Sequence, residues 1–311
     1  MRLCAALAII IAALFWGHPL YAMDLAQGHH LWEVRAPSGA KSYIAAGGAP
    51  SDMRGVSLLK RQLDASGSVR RMAVFNHHHD LTIQSGEWSR RAGEVLSEDL
   101  LVVLERELNP SLQAIFGSNA GSVRRLKLEG VRILLYSSPR QFYAKGLSPT
   151  EKVISAFQRE RDGVLTLKPM TPGELLDLIG KARAEEVRSP AEIIGTVLKD
   201  RLANGPVGDR SADAFLAGDW RKVRALAPAE WLALLGFEHE ALHELQFRST
   251  DALADMIFSA LSDMPTLVMI SGSELAREPH LFTVLQQRGF AIRPVPLSDT
   301  APTTGSVNER G

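Results

Sequence analysis

Two histidines four residues apart on a helix can share a zinc ion, and His239-Glu240-Ala241-Leu242-His243 has that form. Positions i and i+4 lie on one helix face, so both imidazoles would reach one metal. Glu240 would stand as the general base for metal-bound water. The flanks argue for a solvated helix face instead, because Glu238 and Glu244 bring charge where a zinc-binding helix buries apolar residues. A second group is His77-His78-His79-Asp80. Neighbours on an extended chain alternate in direction, so three consecutive histidines do not converge on one ion. Adventitious binding of nickel or zinc is expected there, with a site through His77 or His79 left open. Glu274 is a lone carboxylate donor, and one carboxylate does not make a tight metal site. His29 and His30 read as exposed. Gly47-Gly48 lacks the further glycines or lysine of a phosphate loop and reads as a close turn. Ser271 and Ser273 lack the order of a nucleophile elbow.

These residues must be positioned by α/β elements. His30–Val34 alternates as a strand, with Leu31 and Glu33 on one face and Trp32 and Val34 on the other. Ala36–Gly39 is a turn and Lys41–Ala46 a second strand, giving a hairpin. A helix over Arg54–Ser66 leads to a third strand, Arg71–Phe75. The middle reads as helical: Glu98–Leu108 after Ser97, Thr150–Arg161, a short β-branched piece at Val164–Leu167, then Leu175–Val187 and Ile193–Asn204. Thr171-Pro172-Gly173-Glu174 and Ser189-Pro190-Ala191-Glu192 are capping boxes with proline at the first helical position. Gly205–Arg210 reads as a breaker. Three shorter helices follow, ending in a long one from about Glu238 to Asp263. Thr266–Ile270 is a continuous apolar run, as in a strand buried on both faces. After a tight turn at Ser271–Ser273 a helix runs to Arg288, stopped by Gly289. Ala291–Val295 is a last strand, and Pro294 assigns it to a sheet edge or strand end. Trp32, Trp220 and Trp231 read as core anchors. The fold class is α/β, a central mixed sheet from N- and C-terminal strands with a largely helical middle.

Composition narrows the setting. Lysine plus arginine and aspartate plus glutamate number 35 each, so no basic excess draws nucleic acid. Residues 1–22 have the charge, apolar run and small-residue end of a secretory signal, and no later stretch is apolar enough to span a bilayer. The single cysteine, Cys4, lies in that signal, so the mature chain from Met23 has no disulfide and no thiol nucleophile. Export to the periplasm or outside the cell is expected. Residues 23–296 are expected to form a single domain, and 297–311, rich in Pro, Thr, Ser and Gly, a disordered tail.

Three segments in order resemble the TraB/GumN family. Leu31-Trp32-Glu33-Val34, the Gly39 turn and Ser42–Gly47 are similar to its opening hairpin. Phe215-Leu216-Ala217-Gly218-Asp219-Trp220, with Val223 and Leu226, is similar to its Gly-Asp helix start. Arg248, Met256, Ile257, Thr266–Glu274 and Gly289–Val295 are similar to its closing part. The resemblance implies a hydrolase, with an animal branch, TIKI, regarded as proteolytic. It also implies a divalent metal such as zinc or manganese, held in a cleft by two G-x-x-H elements and an acid. In this chain the first element falls on Ala46-Gly47-Gly48-Ala49, or on Gly47–Pro50. The acid falls near Phe75 or Asn76, and the second element on Ser271-Gly272-Ser273-Glu274. An Arg-Asn pair of the family falls on Arg248-Ser249. The implied histidines and acid are therefore replaced. The resulting expectation is an exported, catalytically degenerate protein without a metal cofactor. It would bind a peptide, glycan or protein partner in the cell envelope, and family association links it to polysaccharide biosynthesis. The rival is an active metallohydrolase using Glu274 with a nearby histidine, or His239, Glu240 and His243.

Overall fold

The structure, a computed structural model, describes residues 28–47, 53–67, 69–75, 86–117, 121–136, 149–159, 164–167, 172–237, 251–261, 264–276 and 281–297. Leu31–Arg35 (β1) and Lys41–Gly47 (β2) form the expected hairpin, with Leu31 opposite Ala45 and Arg35 opposite Lys41. Gly39 closes it at φ +85°, a left-handed conformation that glycine adopts without strain. Strand alternation sends Trp32 and Val34 into one apolar layer and Leu31 into the other.

Arg71–Phe75 (β3), Val164–Leu167 (β4), Thr266–Ser271 (β5) and Ala291–Pro294 (β6) complete a six-stranded sheet of order β4-β3-β5-β2-β1-β6. β4, β3, β5 and β2 run parallel, whereas β1 opposes both β2 and β6. Thr266–Ile270 is buried throughout, which explains its unbroken apolar run at the centre of the sheet. The molecule is α/β, a mixed sheet from N- and C-terminal strands with a helical middle, and the short β4 joins that sheet by parallel pairing with β3. β6 is the rim. Val295 N–H donates to the Leu31 carbonyl at 2.8 Å, which turns residues 293 and 295 towards β1. Residues 292 and 294 then face outward, so Pro294 stands at a position with no ladder bond to make.

Besides a single turn at Ala92–Val95, the helices among the described residues are Met53–Ser66 (α1), Glu98–Phe116 (α2), Leu128–Tyr136 (α3), Pro149–Arg159 (α4), Pro172–Glu185 (α5), Pro190–Asn204 (α6), Val207–Leu216 (α7), Trp220–Leu235 (α8), 251–261 (α9), Gly272–Leu275 (α10) and Leu281–Gln287 (α11). α1 and α4 cover one face of the sheet through Leu59, Leu63 and Phe157. α9, α11 and the junction of α7 and α8 cover the other through Leu253, Ile257, Phe282, Phe215 and Trp220. α2, α3, α6 and α8 bury a separate core around Leu104, Leu108, Val131, Leu135, Ile194 and Leu232. Leu226 packs against both cores and joins them.

Several expectations need correction. α2 continues past Leu108 through Pro110 to Phe116, because buried Ser111 and Leu112 prolong its inner face and packing outweighs the lost N–H. The break after α6 is limited to Gly205, at φ +80°, and Pro206, since Val207 and Gly208 are buried and restart a helix. The expected turn at Ser271–Ser273 is the start of α10, with Ser271 as its N-cap. The capping box of α6 forms: Glu192 N–H donates to Ser189 Oγ at 3.3 Å and Ser189 N–H to Glu192 Oε2 at 2.7 Å. Thr171, residues 238–250 of the expected long helix and the Trp231 side chain lie outside the described residues.

Candidate functional site at the carboxyl edge of the sheet

Parallel strands present their carboxyl ends as the natural place for a ligand. Here β2 and β5 lie side by side with Gly47 opposite Ser271, so the two family-like segments meet. A Cβ at Gly47 would stand 3.3 Å from the Ile270 carbonyl, a spacing that glycine relieves. Ser271 Oγ accepts the Glu274 N–H at 3.2 Å. Ala46, Gly272 and Glu274 are buried, Glu274 at 5% exposure. Gly272 allows the closest approach: a Cβ there would lie 2.5 Å from Phe215 Cδ2 and 3.3 Å from the Trp220 ring. The end of α7 and the start of α8 thus set an aromatic pair, 5.8 Å apart and near perpendicular, directly on this backbone.

The turn carrying that pair is fixed by two glycines. Gly218 has φ +65°, and a Cβ on it would come within 2.5 Å of Gly28 Cα. Gly28 N–H donates to the Gly218 carbonyl at 3.2 Å. Asp219 Oδ1 then accepts the Lys222 N–H at 3.0 Å and opens α8.

His30 corrects the reading of an exposed histidine. It is buried at 5% exposure, because the alternation of β1 extends one residue back and puts it on the face of Trp32. Its Nε2 lies 2.5 Å from the Phe215 carbonyl, so that nitrogen carries the proton and donates. The ring sits 5.4 Å from Phe215 and 5.5 Å from Trp220. Burial lowers its pKa below 6.5; the bond to Phe215 opposes this only in part, and Arg61 and His29 add to the lowering. Below it, the Gln62 side-chain amide donates to the carbonyls of His30 at 2.7 Å and Ala46 at 2.9 Å. On the sheet's other face Glu33 is enclosed by Arg293, Lys41 and Arg35. Burial works to raise its pKa, but hydrogen bonds from those three hold it at about 2.

At the family positions the described donors do not fit a divalent metal. Ser271 Oγ is engaged as a cap, Glu274 is one carboxylate, and Ala46, Gly47 and Gly272 bring no donor side chain. Among the described residues no three His, Asp or Glu side chains gather as a metal group. Gly48, Ala49, Asn76, His77, His78, His79, Asp80, His239, Glu240, His243, Arg248 and Ser249 lie outside the described residues, as do the side chains of Phe75 and Ser273.

The helical layer holds buried charge of its own. Arg132, fully buried, donates to the Ala233 carbonyl at 2.9 Å and lies over the Trp88 ring. Tyr136 donates to Glu230 at 3.1 Å. Burial raises the Glu230 pKa against the hydrogen bonds from Ser211 and Tyr136. Among the described residues no helix is long and apolar enough to cross a membrane. No family model, curated protein or solved structure matches this chain.

Proposed function

We propose that this chain is an exported, TraB/GumN-like protein that binds a peptide, glycan or protein partner of the cell envelope at the carboxyl edge of its sheet, without catalysing hydrolysis there. The observation that carries the reading is the seat at Gly272. The ends of β2 and β5, which the resemblance would arm with histidine, lie side by side, Phe215 rests on the Gly272 backbone and Glu274 is folded into the first turn of α10. The groups described at this edge suit recognition through the strand-end backbone rather than water activation. A link to polysaccharide biosynthesis rests on family association alone.

Metal content tests the reading. The chain from Met23, purified without a histidine tag and dialysed, is assayed for zinc, manganese, iron and nickel by elemental analysis. Substoichiometric metal, unchanged by Glu274→Ala or His239→Ala, is expected. Near-stoichiometric metal lost in either variant would overturn it. An active metallohydrolase through Glu274, or through His239, Glu240 and His243, would then take its place.

A further inference from the structure

Three cations converge on one buried carboxylate at the amino end of β2. Arg35 Nε, Lys41 Nζ and Arg293 Nη2 each stand 2.9 Å from a Glu33 oxygen, and the Glu33 side chain is 3% exposed. We propose that the outer side of this triad binds a phosphoryl group carried on a larger molecule. The register explains the convergence. Glu33 lies opposite Tyr43 on β2 and Arg293 on β6, while Arg35 lies opposite Lys41. Residues two apart on a strand share a face, so Glu33 and Arg35 point the same way from β1. Like charges directly opposite one another in a sheet are destabilising, and Arg35 and Lys41 form such a pair. One carboxylate cancels only one of the three positive charges. Burying Glu33 calls for one cation; the surplus is a local conflict of the kind that belongs to functional sites.

Glu33 occupies the inner side of the triad and solvent the outer. The side chains of Arg35, Lys41 and Arg293 keep 53%, 47% and 66% of their surface exposed. Donor capacity is also in surplus. Two guanidinium groups and an ammonium carry about thirteen N–H groups, whereas a carboxylate offers about four lone-pair sites. The bonds to Glu33 hold the three side chains together, so an anion arriving from solvent meets cations already ordered, and less entropy is lost on binding. Lys41 is steadied further by the Tyr43 ring, whose centre lies 5.2 Å from Nζ. A phosphate monoester matches this surplus, with a charge near −2 at neutral pH and three strong acceptor oxygens. A carboxylate would cancel one charge and present two oxygens. The open outer side leaves room for the rest of the molecule. Along β2 the site is six residues from Gly47, about 20 Å, so it stands whether or not the reading of the carboxyl edge does.

The test titrates the whole mature chain with glycerol 1-phosphate by isothermal titration calorimetry, in low salt at about pH 7.5, where the ester is a dianion. Saturable one-to-one binding is expected, at least about tenfold tighter than that of acetate and weaker as sodium chloride is added. Arg293→Gln should lower the affinity at least about tenfold. Lys41→Gln gives the same reading should Arg293→Gln fail to fold. Arg106→Gln, which removes an exposed cation of α2, should leave the affinity unchanged. Absence of saturable binding, unchanged affinity in the folded triad variants, or an equal loss in Arg106→Gln would overturn the site. Acetate binding as tightly as the ester would overturn the phosphoryl group. Inorganic phosphate binding at least about tenfold tighter than the ester would overturn the larger carrier.

Discussion

Around the sheet, packing encloses His30 and Glu33 and holds both in the form they have near neutral pH: His30 uncharged beside Phe215, and Glu33 ionised among three cations. In the helical layer the enclosed Glu230 is pushed the other way, towards its protonated form. The two layers therefore answer acid with opposite signs. His30 has a lowered pKa, so the unfolded chain takes up its proton first and stability falls as pH drops below 6.5. The contribution of Glu33 is present above 4.5 and is lost as pH falls towards about 2. Glu230 has a raised pKa, so its contribution is full below 4.5 and lost as pH rises through its folded value. The difference comes from what neighbours the group. Three cations outweigh burial at Glu33, while hydroxyl partners do not at Glu230.

Four substitutions would break or sharpen this contrast, and the largest concerns the sheet layer. Phe215→Ala removes the ring seated on Gly272 and should cost about 3–5 kcal/mol in urea unfolding. A loss under about 1 kcal/mol would mean that the aromatic seat is not part of the core. In the helical layer, Arg201→Ala strips the partner from Glu107 and from two buried carbonyls. About 3 kcal/mol is expected, with the loss read from the same transition. His30→Gln keeps a donor for the Phe215 carbonyl but removes the titration. It should cost about 1 kcal/mol at neutral pH and flatten the fall in stability between pH 6.5 and the acid limit. A slope equal to the parent's would assign that fall to other groups. The smallest effect is a gain: Glu230→Gln should stabilise by about 1 kcal/mol at neutral pH and by progressively less as pH approaches 4.5. Stabilisation that does not vary with pH would remove Glu230 from the comparison.

The sheet was more legible than the helical layer, for a physical reason. β1, β2 and β5 carry their own pattern, alternating where one hairpin faces two cores and continuous where a strand is buried on both sides. The capping box at Ser189 was legible because its bonds are local. The sequence reading places no helix at α3, although Leu128, Val131, Leu134 and Leu135 have helical spacing and are buried. The apolar pattern ends at Leu108, whereas α2 runs on through Pro110 to Phe116 because buried Ser111 and Leu112 continue its inner face. At the candidate site, Ala46, Gly47, Gly272 and Glu274 were found through resemblance. His30 reads as exposed from its place near the mature N-terminus, although the expected strand His30–Val34 already puts it on the face of Trp32 and Val34. Its partner is 185 residues away, and no local pattern announces a ring that donates to so distant a carbonyl. The packing of Phe215 on Gly272 is likewise non-local, set by a turn whose glycines matter only against Gly28.

The outer rim of the sheet has one more consequence. An unpaired strand is a template on which a second copy can grow, and a protein held at high concentration must deny it that purchase. Pro294 turns the place of an amide hydrogen outward and leaves it empty, so a ribbon of copies joined rim to rim cannot zip past this point. Restoring the amide with Pro294→Val would leave the fold of one molecule nearly untouched and change how many molecules can share a sheet.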